Sequence, residues 1–153
     1  MILLGKIGRL GLLEELAPNL HIPAAVELEV NAGPQGDPAR HWIQLPKAKG
    51  YVVEEVSIPQ QILVWDLGSG ESAVLAVALS RPGSLCLLDD LAARRCAAAL
   101  ELPVCGTLGV LIRAKQAGLI PSLQAELEHL LEVGSMLAPH VIRQALHLAG
   151  EAP

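Results

Sequence analysis

Four carboxylates in this 153-residue chain have surroundings that suit acid–base or metal chemistry. Asp89 and Asp90 close the apolar run Leu85-Cys86-Leu87-Leu88. A short, fully apolar run is the pattern of a parallel strand buried on both faces. In an open α/β sheet, ligands bind beyond the carboxyl ends of the strands, so an acid at that point stands where active sites form. An aspartate there can also cap the helix that follows. The pair allows one of each, and the sequence does not say which is which. Glu71 opens an apolar helix, with Val74, Leu75, Ala78 and Leu79 at offsets of three, four, seven and eight. That spacing puts Glu71 on the stripe facing the sheet. A carboxylate aimed at a core needs a cation or a bound metal as partner. The competing role is a solvated acid at the positive end of the helix dipole. Glu29 shares a helical face with Ala25, Val26 and Val30, so it too interrupts an apolar stripe. Glu27 is a near competitor, and a surface position on a short helix is the plainer role for Glu29.

The elements that must position these acids alternate between helix and strand. Leu4 to Leu16 carries Ile7, Leu10 and Leu13 on one stripe, which predicts a helix ended by Pro18-Asn19. Leu20 to Ile22 is extended, and Pro23 suits the first turn of a helix over Ala24 to Val30. Gly33-Pro34 and Gly36 mark a loop, and Asp37 caps a short helix containing Trp42. Tyr51 to Val56 reads as a strand. Leu67-Gly68-Ser69-Gly70 reads as a loop, with Ser69 as cap of a helix over Gly70 to Ser80. Leu85 to Leu88 and Pro103 to Cys105 are predicted strands on either side of a helix from Leu91 to Leu100. A helix from Thr107 to Ala117 stops at Gly118, and amphipathic helices follow over Ser122 to Val133 and Pro139 to Ala149. Strands alternating with helices predict an α/β fold of three layers, α/β/α, around a short parallel sheet. Without repeat, linker or low-complexity segment, the chain reads as a single domain over residues 1–153.

Composition narrows the function classes. Hydrophobic residues make up 52 % of the chain, yet charges interrupt every run before the roughly 20 residues that span a bilayer. Met1-Ile2-Leu3-Leu4 meets Lys6 and Arg9 too soon for a secretory signal, so a cytoplasmic location is expected. Trp42, Trp65 and Tyr51 are the only aromatic residues, which disfavours base stacking on aromatic platforms. A net charge of −5 argues against a broad basic nucleic-acid footprint, though not against an enzyme that grips RNA through an ion and a few arginines. Cys86, Cys96 and Cys105 form no CxxC pair and read as reduced, buried residues. His140 and His147 are a heptad apart with Arg143 and Gln144 between them, a solvated face without zinc-pair spacing. His21, His41 and His129 are isolated. Gly68-Ser69-Gly70 lacks the lysine and the spacing of a phosphate-binding P-loop.

Several segments in order resemble one family. Lys6-Ile7-Gly8-Arg9-Leu10 is followed by Ile22-Pro23-Ala24-Ala25-Val26 with Glu29, then by Gly70-Glu71-Ser72-Ala73. Leu87-Leu88-Asp89-Asp90 with Ala93-Arg94, Gly106-Thr107-Leu108-Gly109, Arg113-Ala114-Lys115 and Gly118-Leu119-Ile120-Pro121 complete the series. Each motif is weak alone, but the ordered set spans nearly the whole chain. It resembles the PIN-domain-like proteins of the DUF3368 group. The resemblance implies a PIN-like α/β/α fold with extra C-terminal helices and a Mg²⁺- or Mn²⁺-dependent ribonuclease; many such domains are toxins of toxin–antitoxin pairs, which implies a small antitoxin protein as partner. It carries over Glu29, Glu71 and one of Asp89 or Asp90 as metal-site acids. In that family a first strand bearing an aspartate precedes the Lys-Ile-Gly helix, whereas Met1 here already lies in that helix. The expectation is therefore a site short of one acid and a sheet short of its central strand. Neighbouring strands left without partners are costly to bury.

The mechanism implied by the resemblance is metal-assisted phosphodiester hydrolysis, since carboxylates suit hard divalent cations. Thr107 is a candidate for a phosphate oxygen or a metal-bound water, or else a helix cap. Arg94 and Arg95 are candidates for RNA phosphates, with an ion pair to a site acid as the plainer role for Arg94. Two readings follow: an active ribonuclease, or a degenerate PIN-like module that binds protein or RNA without cutting. The incomplete sheet and the apolar last two helices also predict a homodimer, which a monomeric mass in light scattering would overturn.

Overall fold

Two proline positions limit the strands of this chain before any tertiary contact is made. In the computed structural model, which describes residues 1–54 and 56–151, the extended segment after Pro18 pairs only over β1, Ile22–Pro23. Pro23 has no N–H to continue a ladder, and its extended backbone serves as N-cap of α3, Ala24–Ala32. Then come α4 (Pro38–Ile43), α5 (Pro46–Lys49) and β2 (Val52–Val53). β1 and β2 are parallel, with Ile22 opposite Val52 and Pro23 opposite Val53. The strand predicted over Tyr51 to Val56 is thus held to two residues by its short partner, and Glu55 lies outside the described residues. Ala152 and Pro153 do as well.

The next stretch builds α6 (Gln60–Leu63), α7 (Ser69–Ser80), β3 (Cys86–Leu87), α8 (Leu91–Ala99) and β4 (Val104–Cys105). β3 and β4 are parallel, Cys86 facing Val104 and Leu87 facing Cys105. They too are brief, because Asp90 starts a helix after one strand and Thr107 starts another after its partner. The chain is mixed α/β as predicted, but the parallel sheet takes the form of two separate pairs among the described residues. The single turns α5 and α6 were not predicted, although Pro46 at the first turn and Pro59 as N-cap are legible start signals. Asn19–Gly106 forms one compact unit. Within it α7 packs against α3, α6, α8, β1 and β3. Its core joins Ile62, Leu75, Ala76, Ala78, Cys86, Leu88, Ala93, Cys96 and Ala97.

The second unit is Met1–Pro18 with Thr107–Pro153. The helix predicted over Leu4 to Leu16 is two helices, α1 (Ile2–Lys6) and α2 (Gly11–Leu16). The break falls at Gly8, whose φ of +69° is left-handed, a conformation that glycine takes without steric cost. α9 (Thr107–Gln116) packs against α2, α10 (Leu123–Glu132) and α11 (Pro139–Leu148). α9 is followed by Gly118 at φ +73°, as the sequence predicts. α10 is capped twice. Ser122 accepts from the Ala125 N–H at 3.3 Å. The Glu151 carboxylate accepts from the N–H groups of Leu123 at 2.6 Å and Gln124 at 3.0 Å, and pairs with Lys115 Nζ at 2.9 Å.

The backbone donors of Leu123 and Gln124, together with Lys115, hold the Glu151 carboxyl down to about 2 from an ordinary 4.5, against the opposing effect of burial. A carboxylate depressed on folding stabilises the protein above the unfolded value and loses that contribution as pH falls through the folded value. The thermal midpoint of the parent should therefore exceed that of Glu151→Gln at neutral pH. The gap should close as pH falls from about 4.5 to about 2. A gap that stays constant over this range would refute the capping role.

Candidate functional site

α7 begins without a capping side chain of its own. Its N-cap is Gly68, in extended backbone at ψ 159°, so the first N–H groups need acceptors from elsewhere. Glu29 reaches across from α3 to provide one. Its Oε1 accepts the Gly70 N–H at 2.8 Å and the Ser69 hydroxyl at 2.6 Å. The sequence predicts Ser69 as the cap; instead Ser69 is the first residue of α7 and its hydroxyl donates to Glu29. Glu29 is exposed, yet it is not a plain surface acid, since it ties α3 to the start of α7. Negative charge is also favoured at that end of a helix. Glu27, its competitor, pairs instead with Lys49 Nζ at 3.6 Å.

Glu71 lies in the first turn of the same helix, half-buried between buried Gly70 and Ser72. Its side chain bends back over Gly68: a Cβ at that position would overlap Glu71 Oε2. A Cβ at Gly70 would likewise overlap Glu29 Oε2 and stand 3.0 Å from its carboxyl carbon. The two glutamates therefore occupy the faces of two neighbouring glycines at one helix end.

The Asp89-Asp90 pair divides its roles. Asp90 is the N-cap of α8, its Oδ1 accepting from the Ala93 N–H at 2.8 Å. Asp89 precedes the cap. A Cβ at Gly106 would lie 3.0 Å from both Asp89 Oδ1 and Arg94 Nη1, so this carboxylate and this guanidinium meet at one point just past β4. That arrangement suits the plainer role of Arg94 as partner of a site acid. Thr107, 2 % exposed, opens α9 and belongs to the other unit.

The carboxylates gather in two places, Glu29 with Glu71 at the start of α7 and Asp89 beside Gly106. Among the described residues no three His, Cys, Asp or Glu side chains stand together as a metal-holding group. The donor set is nonetheless all carboxylate oxygen, and two of the acids fill the space that Cβ atoms at Gly68 and Gly70 would take. A divalent ion of the Mg²⁺ type is commonly held by one or two carboxylates and completes its shell with water and substrate phosphates. The oxygen chemistry of these acids is of the kind such an ion takes, but among the described residues they do not stand together as one group.

The cysteines take no part. All three are buried thiols outside any disulfide, and burial pushes the Cys86 thiol up to about 11. The five histidines are exposed, in line with the solvated reading of His140 and His147. Two charged residues with structural roles escape the sequence reading. Glu126, 2 % exposed, takes a two-pronged ion pair from Arg9, Nε to Oε2 at 3.0 Å and Nη2 to Oε1 at 2.6 Å. The guanidinium is held in its charged form by that hydrogen bond, against the opposing effect of burial. The stripe test that finds Glu71 also finds Glu126, which stands among Leu123, Leu127 and Leu130. Glu151 as a cap of α10 has no local signal, because it comes from 28 residues away.

No helix among the described residues is long and apolar enough to cross a membrane. No curated protein and no solved structure matches this chain. A family model described as a PIN domain, DUF3368, matches residues 1–151. With its helix-and-strand order and its acids at strand and helix ends, the chain belongs to the DUF3368 family of PIN domains.

Proposed function

We propose that this protein is a divalent-cation-dependent ribonuclease in which Glu29, Glu71 and Asp89 are the ion-holding acids. Membership of a PIN-domain family points to nuclease-type chemistry on RNA. The observation that carries the finer reading is the bond from Glu29 Oε1 to the Gly70 N–H, which draws an acid from α3 to the helix end bearing Glu71. Carboxylate oxygens select Mg²⁺ or Mn²⁺ over softer metals. A bound ion would supply activation of water and stabilisation of charge on the phosphate. Glu29 and Glu71 orient and hold it, and Arg94 steadies Asp89 from beside Gly106. Asp90 serves α8 as its cap and is not needed as a ligand. Arg94, in the same unit as these acids, is the side chain proposed to meet RNA phosphate. A toxin role, with a small antitoxin protein as partner and a second copy of the chain completing a dimer, belongs to the same proposal.

The test is Mn²⁺ titration by calorimetry on the parent and on Glu71→Gln, followed by RNA cleavage with and without chelator. The expected result is specific binding that falls at least about 10-fold in Glu71→Gln, with chelator-sensitive cleavage in the parent alone. A second reading, a PIN-like module that binds without cutting, is favoured by the lack of a three-acid group among the described residues. Absence of Mn²⁺ binding by the parent would decide for it.

A further inference from the structure

Two groups of glycines in this chain stand in opposite surroundings. Gly8, Gly83, Gly118, Gly134 and Gly150 have positive φ and open space where a Cβ would stand. Gly68, Gly70 and Gly106 are the reverse. None has a positive φ, so backbone freedom does not explain them, and at each the missing Cβ is replaced by a charged side chain. Each glycine has its own carboxylate: Gly68 has Glu71, Gly70 has Glu29, and Gly106 has Asp89, there together with Arg94.

We propose that Gly68, Gly70 and Gly106 are positioning residues of the acidic site, each fixing one carboxylate by leaving it the volume that any other residue would fill. A Cβ at Gly70 would push Glu29 off the Gly70 N–H and the Ser69 hydroxyl, which together tie α3 to α7. A Cβ at Gly68 would unfold Glu71 away from the helix start. At Gly106 the contacts of 3.0 Å are tight rather than overlapping, so Asp89 and Arg94 would separate by a few tenths of an ångström and the effect is the smallest of the three. Glu29 is exposed and Glu71 half-buried, so the acid moves and the helix stays. Alanine also favours a helix over glycine, which protects α7 in the Gly70 variant. The consequence for cation affinity rests on the ribonuclease reading; the placement of the carboxylates does not.

The experiment compares Gly68→Ala, Gly70→Ala and Gly106→Ala with the parent. Gly11→Ala, at ordinary φ with open space, is the control. The first readout is the side-chain carboxyl ¹³C spectrum without metal. Each variant should shift its own acid: Glu71 for position 68, Glu29 for position 70, Asp89 for position 106. The control should shift none of them. A role confined to general stability would move all three signals or none, and either pattern overturns the proposal. The second readout is a cycle on the amide of residue 70. Gly70→Ala should expose it to hydrogen exchange as Glu29→Ala does, with no further increase when the two are combined. Full additivity overturns the proposal. The third is Mn²⁺ affinity, expected to fall about 10-fold or more at positions 68 and 70. Retained affinity in both variants overturns it. A parent that binds no Mn²⁺ removes the ribonuclease reading, and the carboxyl pattern then decides the positioning role by itself.

Discussion

Arg9→Met is expected to lower stability by about 3 kcal/mol, a fall of roughly 6–12 °C in thermal midpoint for a chain of this size. The cause is not the loss of attraction as such. Glu126 is 2 % exposed, and without Arg9 its carboxylate is left in the core with no cation at hydrogen-bond distance. His129 Nδ1 stands 3.9 Å from Glu126 Oε2, too far to replace two bonds of 3.0 and 2.6 Å. Breaking a buried pair costs about 3–5 kcal/mol. The lower end applies because the Arg9 side chain keeps 38 % exposure, which lets water reach the vacated place. The double variant Arg9→Met/Glu126→Leu should return most of the loss, since well-packed apolar residues often replace a buried pair at little cost. Arg9→Lys should fall between, because one ammonium cannot reproduce a two-pronged guanidinium pair. Chemical denaturation of the three variants checks the order. A double variant no more stable than Arg9→Met would show that the pair contributes packing rather than charge compensation.

Leu75→Ala should cost a similar amount, about 3–4 kcal/mol, in the other unit. Leu75 is fully buried in α7, in a core shared with Ile62, Cys86 and Leu88. The fully buried remainder of that core is short, Ala76, Ala78, Ala93, Cys96 and Ala97, with Leu67, Leu79, Leu100 and other partly buried hydrophobics packed against it. Truncating a fully buried leucine leaves a cavity that such surroundings fill only in part, at a cost of about 2–5 kcal/mol. Leu75→Met nearly conserves volume and should lose under about 1.5 kcal/mol. Urea unfolding of both variants measures the difference, and equal losses would mean that the site collapses around either side chain. The residue matters for function because the same helix carries Glu71 and receives Glu29 at its start. A loosened α7 would therefore blur the carboxylates before the protein unfolds.

Much of the fold was legible because its signals are local. The apolar spacing after Glu71 marked α7, and Asp37 marked the start of α4 through its own side chain. Gly118 marked the end of α9 by its left-handed backbone. The strands Leu85 to Leu88 and Pro103 to Cys105 were found, though longer than their pairing allows. Errors fell where a local pattern met a competing local demand. The continuous stripe from Leu4 to Leu16 hid the turn at Gly8, and Ser69 carried a capping residue type in a position the helix itself had taken.

The sequence by itself determined the family, the mixed α/β class, the order of the longer helices and the strands, and the four acids worth attention, since periodicity, caps and ordered motifs depend on residues a few places apart. It also left a free choice between Asp89 and Asp90 and between Glu27 and Glu29. The tertiary structure shows which partners these acids take. Asp90 spends its carboxylate on the Ala93 N–H, and Glu27 faces Lys49. Glu29 reaches Gly70, 41 residues further along the chain. The meaning of Gly68, Gly70 and Gly106 was likewise invisible in one dimension. A glycine chosen for the volume it leaves looks the same as one chosen for its backbone until the side chain that fills the space, here as far as 41 residues away, is in place.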